Sequence, residues 1–139
     1  MKFVDTNVLM YASGADDSSL TKTGIARRLL DTTHGLALSL QVLQEFYVSA
    51  TRASRRTNLS HAHASSLALG WQRFHVVEPK IATMSMAFDL RVRFRLSYWD
   101  CAIIAAALES GCDTLYSEDM QHGQIIEGLT IINPFREGG

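Results

Sequence analysis

Short apolar runs that stop at a turn residue and give way to a helix-patterned segment recur along the whole chain. Lys2-Phe3-Val4, Leu36 to Leu38, His75-Val76-Val77, Thr114-Leu115-Tyr116 and Leu129 to Ile132 read as buried strands. Between them lie helices with local start signals. Asn7 to Ala12 follows the turn Asp5-Thr6-Asn7, and Ser18-Ser19 caps a helix through Ile25, Ala26, Leu29 and Leu30. Ser39 caps a helix with Leu43, Phe46, Tyr47 and Ala50 on one side, and Ser60 opens another that runs to Trp71. Pro79 marks a helix start before Ile81, Met84, Phe88 and Val92, with Met84 read as core. Ser97 caps a helix that is apolar all round from Ile103 to Leu108, which makes it central. Strands alternating with helices predict an α/β fold: a central parallel sheet with helices on both faces.

The chain has 139 residues, with two prolines, no repeat and no linker-like stretch, so one domain spanning 1–139 is expected. At 47% apolar and 19% charged, disordered and fibrous classes are excluded. A net charge of −1 excludes a uniformly basic coat, so any nucleic-acid contact must come from local patches. Two cysteines are too few for a disulfide scaffold or a cysteine zinc site, which points to a reducing, cytoplasmic setting. No apolar run reaches the ~18 residues of a membrane span, and Asp5 falls where a signal peptide needs apolar sequence.

In parallel sheets, sites form beyond the carboxyl ends of the strands. Asp5 ends the first strand and Asp119 follows the Leu115 strand within a short turn. Asp100 opens the central apolar helix, and Glu45 shares a polar helix stripe with Ser49 and Arg52. Converging carboxylates repel unless a cation sits among them. Oxygen donors without cysteine or histidine suit Mg²⁺, or Mn²⁺, rather than zinc. Such a cation acidifies water and offsets charge on phosphate oxygens, which is the chemistry of a phosphodiester-cutting nuclease. Singly, each acid has a plainer reading. Asp5 is a cap, Glu45 a solvated acid, Asp119 a turn residue, and Ser97-Tyr98-Trp99-Asp100 fits an S-x-x-D capping box. A dehalogenase-type phosphatase needs a second aspartate two residues after the first, and Asn7 stands there instead.

Four segments in order resemble PIN-domain ribonucleases, close to the VapC-type toxins of bacterial toxin–antitoxin pairs. They are Phe3-Val4-Asp5-Thr6-Asn7-Val8-Leu9, Ser39 to Phe46, Leu96 to Ile103, and Thr114-Leu115-Tyr116-Ser117-Glu118-Asp119-Met120. The resemblance implies a PIN-like three-layer α/β/α fold and a Mg²⁺-dependent endoribonuclease that acts as a toxin. It implies a catalytic metal site of Asp5, Glu45, Asp100 and Asp119, supported by Thr6, Asn7 and Ser117. It also implies an RNA substrate, a cognate antitoxin and a homodimer. Glu118 departs from the family pattern, which has a neutral polar residue there, and the Ser117-x-Asp119 spacing favours Asp119 as the fourth acid. The alternative is a catalytically silent PIN-fold protein or an RNA-binding module.

Arg52, Arg55 and Arg56 are candidate phosphate contacts, Arg52 lying ~10 Å along the helix from Glu45 at 1.5 Å per residue. Arg91, Arg93 and Arg95 are expected to pair with surface acids. Trp71 and Trp99 are read as packing residues, with Trp99 close to the rim of the site. Apolar residues for the homodimer are expected on the helices around Phe88 and Trp71.

Overall fold

The computed structural model describes residues 1–136; Glu137, Gly138 and Gly139 lie outside the described residues. The elements are β1 (Lys2–Val4), α1 (Thr6–Ser13), α2 (Leu20–Thr32), β2 (Leu36–Ser39), α3 (Leu40–Ala50), α4 (His61–Gly70), a 3-10 turn (Trp71–Arg73), β3 (His75–Val77), α5 (Ile81–Arg93), α6 (Tyr98–Glu109), β4 (Thr114–Tyr116), β5 (Ile125–Ile126) and β6 (Leu129–Ile132). One sheet runs in the order β3-β2-β1-β4-β6-β5. β1 pairs in parallel with β2 and with β4, β2 with β3, and β4 with β6.

This order explains the layers. From β1 the chain steps through β2 to β3 in one direction, then crosses back to β4 on the far side of β1. Right-handed crossovers in opposite directions put their helices on opposite faces. Accordingly α1 packs on α2 and α3, and α3 on α4, while α6 packs on α5 and on β2, β4 and β6. The direction reverses between β1 and β4, so a switch-point crevice opens beyond their carboxyl ends.

Four helix starts are local consequences of sequence. Ser19, Ser39, Ser60 and Ser97 each accept the backbone N–H three residues on, at Lys22, Val42, His63 and Asp100. α6 buries Cys101, Ile103, Ile104 and Ala105 to Ala107, so its small side chains let it lie close on the sheet. Ile104 is fully buried, and its burial contributes about 2–3 kcal/mol.

Several expectations need correction. The far edge of the sheet is not parallel: β5 pairs antiparallel with β6 through Glu127-Gly128, both with positive φ. Pro79 stands one residue before the α5 cap, Lys80, rather than at the helix start, because its ring tolerates the extended approach better than the cap geometry. Met84 is 42% exposed, since α5 turns Thr83, Ala87 and Leu90 inward instead. Trp71 is buried edge-on against Phe46, with ring centroids 4.8 Å apart, so it packs but offers no interface surface. Phe88 is 53% exposed on α5, beside exposed Ile81 and Val92. Trp99 is 63% exposed rather than packed, lying edge-on to Tyr98 at the start of α6.

Candidate functional site

Asp5 is the best-held acid. It follows β1 directly, and its N–H continues the ladder by donating to Tyr116 O at 2.9 Å. Its carboxylate accepts Thr6 N–H at 2.7 Å and the Ser117 hydroxyl at 2.8 Å. Burial pushes its pKa up to about 6, against those two hydrogen bonds, with Asp119 and Glu45 adding to the rise. A buried carboxylate with like charges nearby is costly even with hydrogen bonds on both oxygens.

The turn after β4 supplies the second acid. Asp119 is exposed; its Oδ2 accepts Asn7 Nδ2 at 3.2 Å and its N–H donates to Ser117 Oγ at 3.3 Å. Glu118 N–H donates to Asn7 Oδ1 at 3.3 Å, whereas the Glu118 side chain turns to Tyr11 and Lys22. Burial and the Glu118 carboxylate push the Tyr11 phenol up to about 12, so it remains an O–H donor.

Two helices bring the remaining acids. Glu45, in the second turn of α3, accepts the Thr6 hydroxyl at 3.0 Å on one oxygen and Gln41 Nε2 at 2.7 Å on the other. Asp100, in the first turn of α6, is half-buried and its N–H is capped by Ser97 Oγ at 3.1 Å. Burial raises its pKa; Ser97 opposes this, and the carboxylates of Asp119 and Glu45 add to it. Helices antiparallel to the strands point their amino ends at this same edge, where the helix dipole favours anions.

Asp5, Glu45, Asp100 and Asp119 therefore share one sheet edge, and the carboxylates of Glu45 and Asp119 act on both Asp5 and Asp100. They do not close on one point. Among the described residues, no three acidic, histidine or cysteine side chains stand close enough to hold a metal ion. The donor set is nevertheless carboxylates with hydroxyl and amide support, which suits a hard divalent cation.

A cleft of about 600 Å³ leads from this edge along α3, lined by Thr6, Asn7, Glu45, Arg52, Arg55 and Asp119 among others. Arg52 is exposed there, and among the described residues its guanidinium has no ion pair. Arg55 is fixed by the carbonyls of Ser49 (3.1 Å) and Ala15 (3.4 Å). Arg56 is paired instead with Asp17 at 2.9 Å on the surface and lines an adjoining hollow. Arg93 pairs with Asp89 and Glu127, as expected of a surface arginine, whereas among the described residues Arg91 and Arg95 form no ion pair. Gln41 was not singled out from sequence, although it sits one helical turn before Glu45, the spacing at which helix side chains meet. Its Nε2 also reaches Trp99 O at 3.4 Å, tying α3 to the start of α6.

Comparison with known proteins agrees with this architecture. The PIN domain family model matches residues 2–125. No curated protein sequence matches the chain. Among solved structures it is similar to a toxin–antitoxin complex from Klebsiella pneumoniae, with a TM-score of 0.70 and 18% identity over 96% of this chain and 98% of that one. It is similar to Mycobacterium tuberculosis VapC20, described as a Sarcin-Ricin loop cleaving toxin, with a TM-score of 0.65 and 21% identity over 86% and 90%. It is also similar to VapBC2 from Rickettsia felis bound to a promoter DNA fragment, with a TM-score of 0.64 and 16% identity over 94% and 96%.

Proposed function

Because the chain belongs to the PIN-domain family, we propose that it is a metal-dependent endoribonuclease, the toxin of a toxin–antitoxin pair, acting as a single domain over 1–139. The observation that carries this reading is the meeting of Asp5, Glu45, Asp100 and Asp119 at the switch-point edge, with Asp5 raised to about 6 and Asp100 raised as well. Burial first, and then the neighbouring carboxylates, disfavour the charged forms of Asp5 and Asp100, and a cation offsets both costs.

Mg²⁺, or Mn²⁺, is the cofactor, and Asp5, Glu45, Asp100 and Asp119 are the residues that would hold it. When bound it supplies positive charge against the phosphodiester under attack and acidifies water. The chain does the rest. Ser117 and Thr6 N–H fix Asp5, Asn7 fixes Asp119, and Thr6 with Gln41 fixes Glu45. Arg52 and Arg55 lie along the cleft, where guanidinium groups hold RNA phosphates without reading bases. Arg56 joins them only by leaving Asp17.

The partners are RNA, an antitoxin protein and a second copy of the chain, with the exposed α5 residues Ile81, Phe88 and Val92 at the homodimer face. The toxin–antitoxin complexes among the similar folds support the antitoxin, and the RNA-cleaving toxin supports the substrate class. Among the described residues no helix is long and apolar enough to cross a membrane, and the cytoplasm is the proposed location. A silent PIN fold that only binds RNA is favoured by one observation: among the described residues no three acidic, histidine or cysteine side chains stand close enough to hold a metal.

The test is incubation of purified protein with cellular RNA in Mg²⁺ and in EDTA, with sequencing of the new ends. Defined cuts that need Mg²⁺ and vanish in Asp5→Asn are expected. RNA retention without cuts in Mg²⁺ or Mn²⁺ would establish the silent reading instead.

A further inference from the structure

The turn after β4 carries one carboxylate more than the acid cluster needs. Glu118 Oε1 accepts the Tyr11 hydroxyl at 2.7 Å, and its Oε2 accepts Lys22 Nζ at 2.6 Å. Both oxygens are thus engaged by α1 and α2. Lys22 is itself set by the start of α2, where Ser19 Oγ accepts its backbone N–H. Its ammonium also lies 5.5 Å from the centre of the Tyr11 ring, within cation–π range. The Glu118 side chain is only 22% exposed, so this pair is better shielded than an ordinary surface ion pair.

A turn with two adjacent acids can offer either of them to a cation. Here the backbone of Glu118 is bonded to Asn7 Oδ1, and the same Asn7 side chain holds Asp119 through Nδ2. Removing Lys22 leaves the part-buried Glu118 side chain with only a hydroxyl partner. It is then free to swing toward any cation at the sheet edge, turning the adjacent Asp119 away from its own place there across a single peptide bond.

We propose that Lys22 and Tyr11 form a clamp on Glu118 that positions Asp119 toward the acid cluster and keeps Glu118 out of it. Lys22 is a positioning residue, acting on the cluster through Glu118 and the turn. The clamp rests on the metal-site reading of the four acids.

The test is thermal unfolding of wild type, Lys22→Met, Lys22→Arg, Glu118→Gln and the Lys22→Met/Glu118→Gln pair, first in EDTA and then across a Mn²⁺ titration. The readout is the Mn²⁺ concentration that gives half of the full rise in midpoint. Lys22→Met is expected to raise that concentration about tenfold, as outer-shell partners of metal ligands do. Lys22→Arg should restore most of the loss. The double variant should be no worse than Lys22→Met, since both changes open one clamp. Should Lys22→Met fail to fold, Tyr11→Phe removes the other hold on the Glu118 carboxylate and carries the same expectation. Variants that lose stability in EDTA but keep the wild-type half-effect concentration would make the pair a structural ion pair only and overturn the clamp. A wild type that does not respond to Mn²⁺ at all would overturn the metal-site reading, and the clamp with it.

Discussion

The two sides of the site differ in how firmly they are built. At the strand ends, Asp5, Asn7, Ser117 and Asp119 are linked by hydrogen bonds that cross from β1 and α1 to the β4 turn. At the start of α6, Asp100 is half-buried, and no hydrogen bond among the described residues joins its carboxylate to another element. One side is pre-organised and the other is free to adjust. An ion that needs several oxygens at short range is best met by such a pairing, a fixed anchor facing ligands that can swing in.

The largest expected effect breaks the anchor. Asp5→Asn should lower RNA cleavage by more than about a hundredfold, since the proposed site then loses a ligand rather than a supporting partner. Cleavage in Mg²⁺ by end-labelled RNA assay checks this, and a loss below tenfold would move the anchor elsewhere.

The next tests the same residue through protons. Asp5 binds its proton more tightly folded, at about 6, than unfolded, near 3.8. Its contribution is therefore present at low pH and is lost as pH rises through 3.8 toward 6, on the order of 3 kcal/mol in all. Urea unfolding in EDTA from pH 4 to 7 should show that loss in wild type and a flatter profile in Asp5→Asn. Parallel profiles would mean that the carboxylate is better solvated than its burial implies.

Ser117→Ala should cost about 1–3 kcal/mol, because a buried carboxylate oxygen then lacks its hydroxyl donor. Equal urea midpoints for the two chains would show that water takes the place of the hydroxyl. The smallest effect sharpens the adjustable side. Asp100→Asn should stabilise the metal-free protein, by less than ~1 kcal/mol given its exposure, and should shrink the Mg²⁺-induced rise in midpoint. That rise should be on the order of 2–3 kcal/mol in wild type at a hundredfold excess of ion over its Kd. A less stable Asp100→Asn in EDTA would return Asp100 to a helix-start role.

What could be read from sequence follows from range. The serine caps need only a hydroxyl three residues before an N–H, so Ser19, Ser39, Ser60 and Ser97 were legible at once. So were Asp5 and the order of the parallel strands' acids, because a strand end followed by a helix start is a local event. β5 was not, because two residues make a strand only when β6 lies beside them across the Glu127-Gly128 turn. Met84 was misread because its helix has apolar residues on more than one face, and packing chose Ala87 and Leu90. Glu118 left its place open from sequence, since its partner Lys22 is 96 residues away.

The shortness of β1 has a consequence for how sequences of this kind can vary in length. Lys2, Phe3 and Val4 are each registered against β4, at Thr114, Leu115 and Tyr116, and Asp5 follows with no spacer. One residue inserted or deleted between Val4 and Asp5 would send the carboxylate to the opposite face of the sheet. The connection from Thr51 to Ser60, by contrast, can lengthen at a cost that grows only with the logarithm of its length. Natural variation in chain length should therefore collect between α3 and α4 and be excluded from the first strand.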